Sequence, residues 1–335
     1  MTETPLPPAA SLAATVQAGG GLLRRLGLPA ALVVMIAAFA VAEPRMLTGG
    51  NLLNVVEQAS YLTLFALAQV VVLLTRGFDL SLGTAVSTVS VFAALVLTGG
   101  FGGLGGPAAT VAGIAGGLAL AAAIGAVNGA VVAWLRVSPF VATLGMLNVC
   151  LGLASLLSDG RPVAGLPDGF TTLLYAAAPL GIPAPVLVAL GIAGLLHALL
   201  HHTVFGRSLY LVGGNPRAAE VAGVPVRAVL VGAYALCSLL AGIGALLLTA
   251  RTGTGEPNLG GTLTLESIAA AVVGGASLRG GAGGVGAAVL GALFVTVLAN
   301  GMNLTRVDGN VQAIVLGCVI VAAVVADRLR TGGGR

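Results

Sequence analysis

Three histidines, His197, His201 and His202, offer the first chemistry to weigh, because His197 and His201 stand four apart on a helical period as zinc ligands do. The run H-A-L-L-H lacks the glutamate of a metalloprotease helix, so interfacial histidines at a span end are the better reading. Cys150, Cys237 and Cys318 sit in apolar stretches without paired spacing and read as small buried hydrophobes, with no disulfide framework and no metal site. Gly281, Gly283 and Gly286 satisfy G-x-G-x-x-G, but a dinucleotide site needs a strand before that turn, and both flanks here are apolar helical runs. The chain has no lysine, which removes any Walker A loop, whose Lys must reach the β and γ phosphates. No nucleophile–base pair and no paired carboxylates stand out. These residues point away from an enzyme and from any cofactor or metal held by this chain.

What remains is a thin set of polar side chains inside apolar runs: Glu57, Gln58, Gln69, Asn128, Asn148, Glu266, Asn300, Asn303 and Gln312. Such groups are costly in lipid unless paired or facing water, so they mark helix–helix bonds or a solute path. Interhelical bonding is favoured for Asn128. Gln58, Gln69, Asn148, Asn300 and Asn303 are candidates for a path, and their lack of net charge would suit a neutral polar solute. Glu57 and Glu266 lie near span ends and could face headgroups instead.

The elements that must position these residues are membrane helices. Hydrophobic residues make up 57% of the 335-residue chain and charged residues 8%, against about a quarter charged in soluble domains. The apolar runs are Ala-, Leu- and Gly-rich without alternation, which excludes a β-barrel. Ten spans fit, near 26–42, 52–75, 80–97, 107–135, 139–157, 185–200, 226–249, 262–278, 283–302 and 310–326, each close to the roughly 20 residues a bilayer requires. With both termini cytoplasmic, eleven arginines fall inside and four outside, the bias that sets orientation. This arginine excess reports topology, and nucleic acid is not an expected partner. Residues 1–23 read as a disordered cytoplasmic tail leading to a retained anchor. Residues 24–330 form one transmembrane domain, and 331–335 a cytoplasmic tail.

Between the sixth and seventh spans, the loop 203–226 carries clear short-helix grammar. Asn215 caps, Pro216 takes the first helical position, Arg217 to Ala222 make about two turns, and Gly223 ends them. A short helix lying between two spans suits docking of a partner. Here the chain resembles the permease subunits of ribose-type ABC sugar importers, whose loop reads much like FGR…Y..GGN..AA..(S/A)G(I/V). Three further stretches carry the resemblance. Arg76-Gly77-Phe78-Asp79-Leu80-Ser81-Leu82-Gly83 is similar to GGxDLSVG, departing at Arg76 and Phe78. There Asp79 or Ser81 can cap the helix that follows. Asn128-Gly129 with Arg136 to Gly145, including Pro139, Phe140 and Thr143, resembles NG…(V/L)xPFIxTLxM. Gly125 and Gly129 there form a small-xxx-small pair for close helix packing. Ala271 to Gly286, with Gly274, Gly275, Ser277 and Gly280, resembles (V/I)GG.SL.GG.G…G.

The resemblance implies an all-α, ten-helix permease of the type II ABC importer kind, in the bacterial plasma membrane. Its partners would be a second permease copy, as a homodimer, a separate ATPase subunit that binds ATP and Mg, and an extracytoplasmic binding protein that delivers a monosaccharide. ATPase coupling is expected at Arg207, Gly213, Gly214, Asn215, Pro216, Arg217, Ala218, Ala219 and Gly223. Other cargoes of the superfamily remain open: a branched-chain amino acid, a nucleoside or a furanone signal. An ion-coupled secondary transporter is a further alternative.

Overall fold

The computed structural model describes residues 27–100 and 105–332, so the expected 1–23 tail, Arg24 and Arg25 lie outside the described residues, as do 333–335. Among the described residues the chain is helical, with one isolated antiparallel bridge between Val163 and Gly255.

The bundle is built around α2 (Gly49–Leu73). Its membrane-crossing window is 83% buried, far more than any other long helix, because it is ringed by α7 (Ala184–His202), α10 (Val226–Thr252), α11 (Leu263–Val273) and α12 (Val285–Leu304). A helix apolar on all sides is one that can be buried on all sides. Outside this core lie α1 (Gly27–Ala42), α3 (Leu82–Leu97), α4 (Gly106–Trp134), α5 (Pro139–Ser158) and α13 (Gly309–Gly332). Among the described residues six helices, α2, α4, α5, α7, α10 and α12, are long and apolar enough to cross a membrane, and the apolar parts of four further helices, α1, α3, α11 and α13, are shorter.

The most extensive helix contact is between α4 and α10, and the small-residue pair makes it possible. A Cβ on Gly125 would strike the Tyr234 carbonyl and the Ser238 side chain, and one on Gly129 would lie 2.6 Å from the Val231 Cα. That packing is what the spacing implies. By contrast, α5 is only 17% buried in its window and presents Phe140, Val141, Leu144 and Leu151 outward.

The eighth expected span, 262–278, holds a helix of only 11 residues. After α10 ends at Gly253 in a left-handed cap, residues 253–262 return into the bundle without helical structure, running along α3. Serines of α3 satisfy this backbone: the Ser90 hydroxyl accepts from Glu256 N–H (3.1 Å) and the Ser87 hydroxyl from Gly260 N–H (3.0 Å). Only then does α11 begin, and its 11 residues cover about 16 Å, roughly half a hydrocarbon core. This irregular backbone is tolerated because protein groups satisfy it.

Packing decides two further points, the second against expectation. The connection 158–183 holds α6 (Asp168–Thr171) and short turns, and it drives Phe170 fully into the core. It is a packed element. Cys150 and Cys237 are buried, but Cys318 is exposed on α13.

Candidate functional site

Loop 203–226 folds as two helices. The first, α8 (Val204–Gly214), starts immediately after α7, where the Thr203 hydroxyl accepts the Gly206 N–H (3.0 Å) and donates to the Leu199 carbonyl (2.6 Å). Gly206 is required at this elbow, since a Cβ would collide with the Leu199 carbonyl. The second, α9 (Pro216–Val221), has the Asn215 side chain accepting from Ala218 N–H at 3.1 Å and Gly223 at φ +80° just beyond its end. The cap and stop of α9 are legible in the sequence, whereas α8 falls within the expected loop 203–226.

The buried face of α8 contains Gly206, Ser208, Leu209, Val212 and Gly213, and α9 is anchored by Ala219. Arg207, Gly214, Asn215, Arg217, Ala218, Glu220 and Gly223 remain exposed, and Val221 is 90% exposed. The α8–α9 pair therefore offers a free outer surface on a fixed inner one.

Its inner surface joins motifs that are far apart in sequence. Arg76 ends α2 in a left-handed conformation, φ +66°. From there its guanidinium donates from Nε to the Gly213 carbonyl and from Nη2 to the Gly214 carbonyl, capping the C-terminal end of α8, where free carbonyls and the negative dipole end accept a cation. On the other side, Gly281 N–H donates to the Leu74 carbonyl (3.0 Å), and the Tyr210 hydroxyl donates to the Gly283 carbonyl (3.1 Å). A Cβ on Gly213 would overlap the Leu74 carbonyl, and one on Gly280 would meet Arg76 Cγ. Thus the α2–α3 turn, the end of α8 and the glycine loop between α11 and α12 form one knot. Gly274 packs against the Ala287 carbonyl, Gly275 sits at φ +110°, and Ser277 N–H closes the loop onto the Ala282 carbonyl (2.9 Å). The G-x-G-x-x-G of Gly281, Gly283 and Gly286 is this turn, with α11 and not a strand before it.

The turn after Arg76 doubles back into the bundle. The Gln69 amide closes on the backbone of Asp79, donating to its carbonyl (2.9 Å) and accepting its N–H (3.2 Å). Asp79 Oδ1 accepts both the N–H (2.8 Å) and the hydroxyl (2.5 Å) of Ser81, and Asn128 Nδ2 donates to the Ser81 oxygen (3.0 Å). Ser81 itself makes no side-chain cap to α3, so Asp79 serves the turn. Gly83 then lies against Gly260, its N–H bonded to Thr264 Oγ1 (2.9 Å). Pro139 opens α5, Thr143 is buried there, and Phe140 meets Phe78 edge-on at 6.4 Å.

The candidate path residues do not assemble into one channel in this protomer. Gln69 is fully buried and consumed by Asp79. Asn300 forms a reciprocal amide pair with Asn51, both bonds 3.0 Å, a partner the sequence did not suggest. Asn303 accepts from Gln312 (2.9 Å), and Asn148 stays on the exposed side of α5, bonded to its own helix at the Leu144 carbonyl. Gln58, Glu266 and Gln312 line one cavity beside the middle of α2. Glu57 lies 3.7 Å from Arg251. His197 and His201 stack at 4.2 Å, with His201 Nδ1 held by the His197 carbonyl. Among the described residues no group of three or more His, Cys, Asp or Glu is placed to hold a metal ion.

Residues 51–324 match the family profile described as the branched-chain amino acid transport system / permease component. The chain belongs to this permease family. Among curated relatives, the ribose import permease protein RbsC of Escherichia coli (strain K12) is 37% identical over 304 residues, 89% of this chain and 91% of the relative. The ribose import permease of Bacillus subtilis (strain 168) is 33% identical over 93% of this chain and 95% of its own length. The galactose/methyl galactoside import permease MglC of Escherichia coli (strain K12) is 34% identical over 92% and 95%. No solved structure gives a significant match. The family is one of transport-system permease components.

Proposed function

We propose that the chain is the membrane subunit of an ATP-driven importer for a monosaccharide. The observation that carries the cargo class is the full-length similarity to permeases named for ribose, allose and galactose, at 32–37% identity. In this reading the polypeptide crosses the membrane ten times, with α1, α3, α11 and α13 completing the six longer spans, and both termini are cytoplasmic. Residues 253–262 and α11 together make one crossing. Two copies assemble, and the exposed α5 face is the surface available for pairing. An extracytoplasmic binding protein delivers the sugar.

ATP and Mg belong to a separate ATPase that docks on the outer surface of α8–α9, through Asn215, Arg217, Ala218 and the exposed Val221, with Arg207 beside them. The support is the division of these helices into a free face and a knotted one. Movement of the docked pair is passed to α2, α3 and α11–α12 through Arg76, Gly213 and Gly281. The docked states must differ in affinity for ATP and cargo for this to drive transport.

Co-purification from gently solubilised membranes tests the reading. An ATPase should accompany the chain and be lost when residues 215–223 are replaced by a Gly/Ser linker. Reconstituted complex should accumulate D-ribose, D-allose or D-galactose only with ATP. Accumulation of leucine instead would favour the amino-acid cargo in the family's description, and ATP-independent uptake would overturn the reading.

A further inference from the structure

We infer that the antiparallel bridge between Val163 and Gly255 is a latch through which the connection 158–183 positions α11 and, with it, the glycine loop of the α8 knot. The inference rests on the importer reading above and gives it a second input. A binding protein seated on the connection would act on the knot from the other end of the bundle.

The bridge and the knot lie at opposite ends of α10. That helix begins shortly after α9 and ends 27 residues on, just before Gly253, a length of about 40 Å. At the far end, α5 stops at Asp159 in a left-handed cap, φ +49°. The chain then runs exposed through Asp159, Arg161 and Gly165 before Leu166 packs on the core and Phe170 enters it. Between these anchors Val163 donates its N–H to the Gly255 carbonyl and accepts the Gly255 N–H, both at 2.9 Å. This is the one β pairing among the described residues, and it ties an exposed rim to a buried backbone.

Gly255 is held between that rung and α3. A Cβ there would lie 2.4 Å from the Ala94 Cβ and 3.0 Å from the Ser90 carbonyl. Glu256 N–H is then bonded to Ser90, and at Gly260 a Cβ would overlap the Gly83 carbonyl. In the first turn of α11, the Thr264 hydroxyl accepts the Gly83 N–H (2.9 Å) and donates to the Leu80 carbonyl (3.4 Å). Helix α11 touches α12 backbone to backbone: a Cβ on Gly291 would overlap the Ala270 carbonyl, and Gly274 meets the Ala287 carbonyl. Beyond it, Ser277 and Gly281 donate to the carbonyls of Ala282 and Leu74. Each step from Val163 to Gly281 is a close backbone approach or a hydrogen bond, in an interior too dense to absorb a shift locally. Such a route couples its ends only if they share two arrangements, and the test reads whether they do.

Hydrogen exchange of the full chain in lipid nanodiscs needs neither cargo nor partner. Val163→Pro removes the N–H given to Gly255, and Gly255→Ala presses the segment off Ala94. Val163→Ala keeps both bonds and is the control. In the first two variants exchange should quicken about fivefold at 253–262 and also at the Ser277 and Gly281 N–H groups, and the control should match wild type. Ser90→Ala, which removes the acceptor of the Glu256 N–H and leaves the backbone intact, makes the same comparison if the others fail to fold. Faster exchange that stops at residue 262, or none at all, overturns the latch. In the complete complex in vesicles, Val163→Pro should lower the D-ribose, D-allose or D-galactose moved per ATP hydrolysed about fivefold. An unchanged ratio beside a loosened Gly281 overturns its part in coupling. A wild-type complex that moves none of the three sugars refutes the importer reading, while the exchange result still decides the latch.

Discussion

Replacing Arg76 by Gly separates two roles that one side chain now joins. The left-handed backbone at φ +66° disfavours any residue with a Cβ by about 1–2 kcal/mol, so Gly relieves the turn, less about 0.5–1 kcal/mol for its greater freedom when unfolded. The substitution also removes both guanidinium bonds to the Gly213 and Gly214 carbonyls. Bonds from a charged donor contribute about 1.5–3 kcal/mol each when shielded. Arg76 is exposed, and water and salt reduce the pair together to about 2 kcal/mol. Relief of the turn, net about 0–1.5 kcal/mol, offsets part of this loss in overall stability but none of it in the joint between α8 and α2, whose closed state should lose about 2 kcal/mol, near thirtyfold in population. The expected result for Arg76→Gly is a melting temperature close to wild type in detergent. Sugar moved per ATP hydrolysed should fall about tenfold or more in vesicles. Arg76→Lys, with charge but no planar fork, should lie between. Wild-type coupling in Arg76→Gly would refute the knot as the route of transmission. A large loss of melting temperature would show that the bonds hold the fold instead.

Other substitutions follow from the same contacts. Gly213→Ala drives a Cβ into the Leu74 carbonyl and Gly281 N–H, and should cost about 2–3 kcal/mol in thermal unfolding of the detergent-solubilised protein. Asn128→Leu removes the donor to the Ser81 hydroxyl and should cost about 1 kcal/mol, as interhelical bonds in membranes do, visible as faster proteolysis near residues 76–83. Gly125→Val forces α4 from the Tyr234 carbonyl and Ser238 of α10. It should cost about 2–3 kcal/mol and reduce the folded yield in membranes more than Gly145→Val, whose site is open.

The sequence by itself determined the solvent. With 57% hydrophobic and 8% charged residues, no soluble core could form, and helices had to supply their own backbone bonds in lipid. Local signals also sufficed where the determinant spans a few residues. Asn215, Pro216 and Gly223 specified α9 because cap, first turn and left-handed stop are neighbours in the chain. The pair Gly125 and Gly129 announced a close helix contact, though not that α10 would fill it.

Only the tertiary structure decided how the interrupted segments close. Hydropathy reads residues 262–278 as one span, yet its helix has only 11 residues, and residues 253–262 before it are packed as irregular backbone because serines of α3 more than 160 residues away satisfy their N–H groups. Gln69 carries the same polarity as a path-lining amide, but its location makes it a bracket for Asp79. Arg76 read as a departure at a turn. It became a cap for α8 once Gly213 and Gly281, lacking side chains, let three backbones come within bonding distance. A local pattern records which backbone can bend or approach closely. Which distant backbone arrives is fixed by the packing of all the helices together.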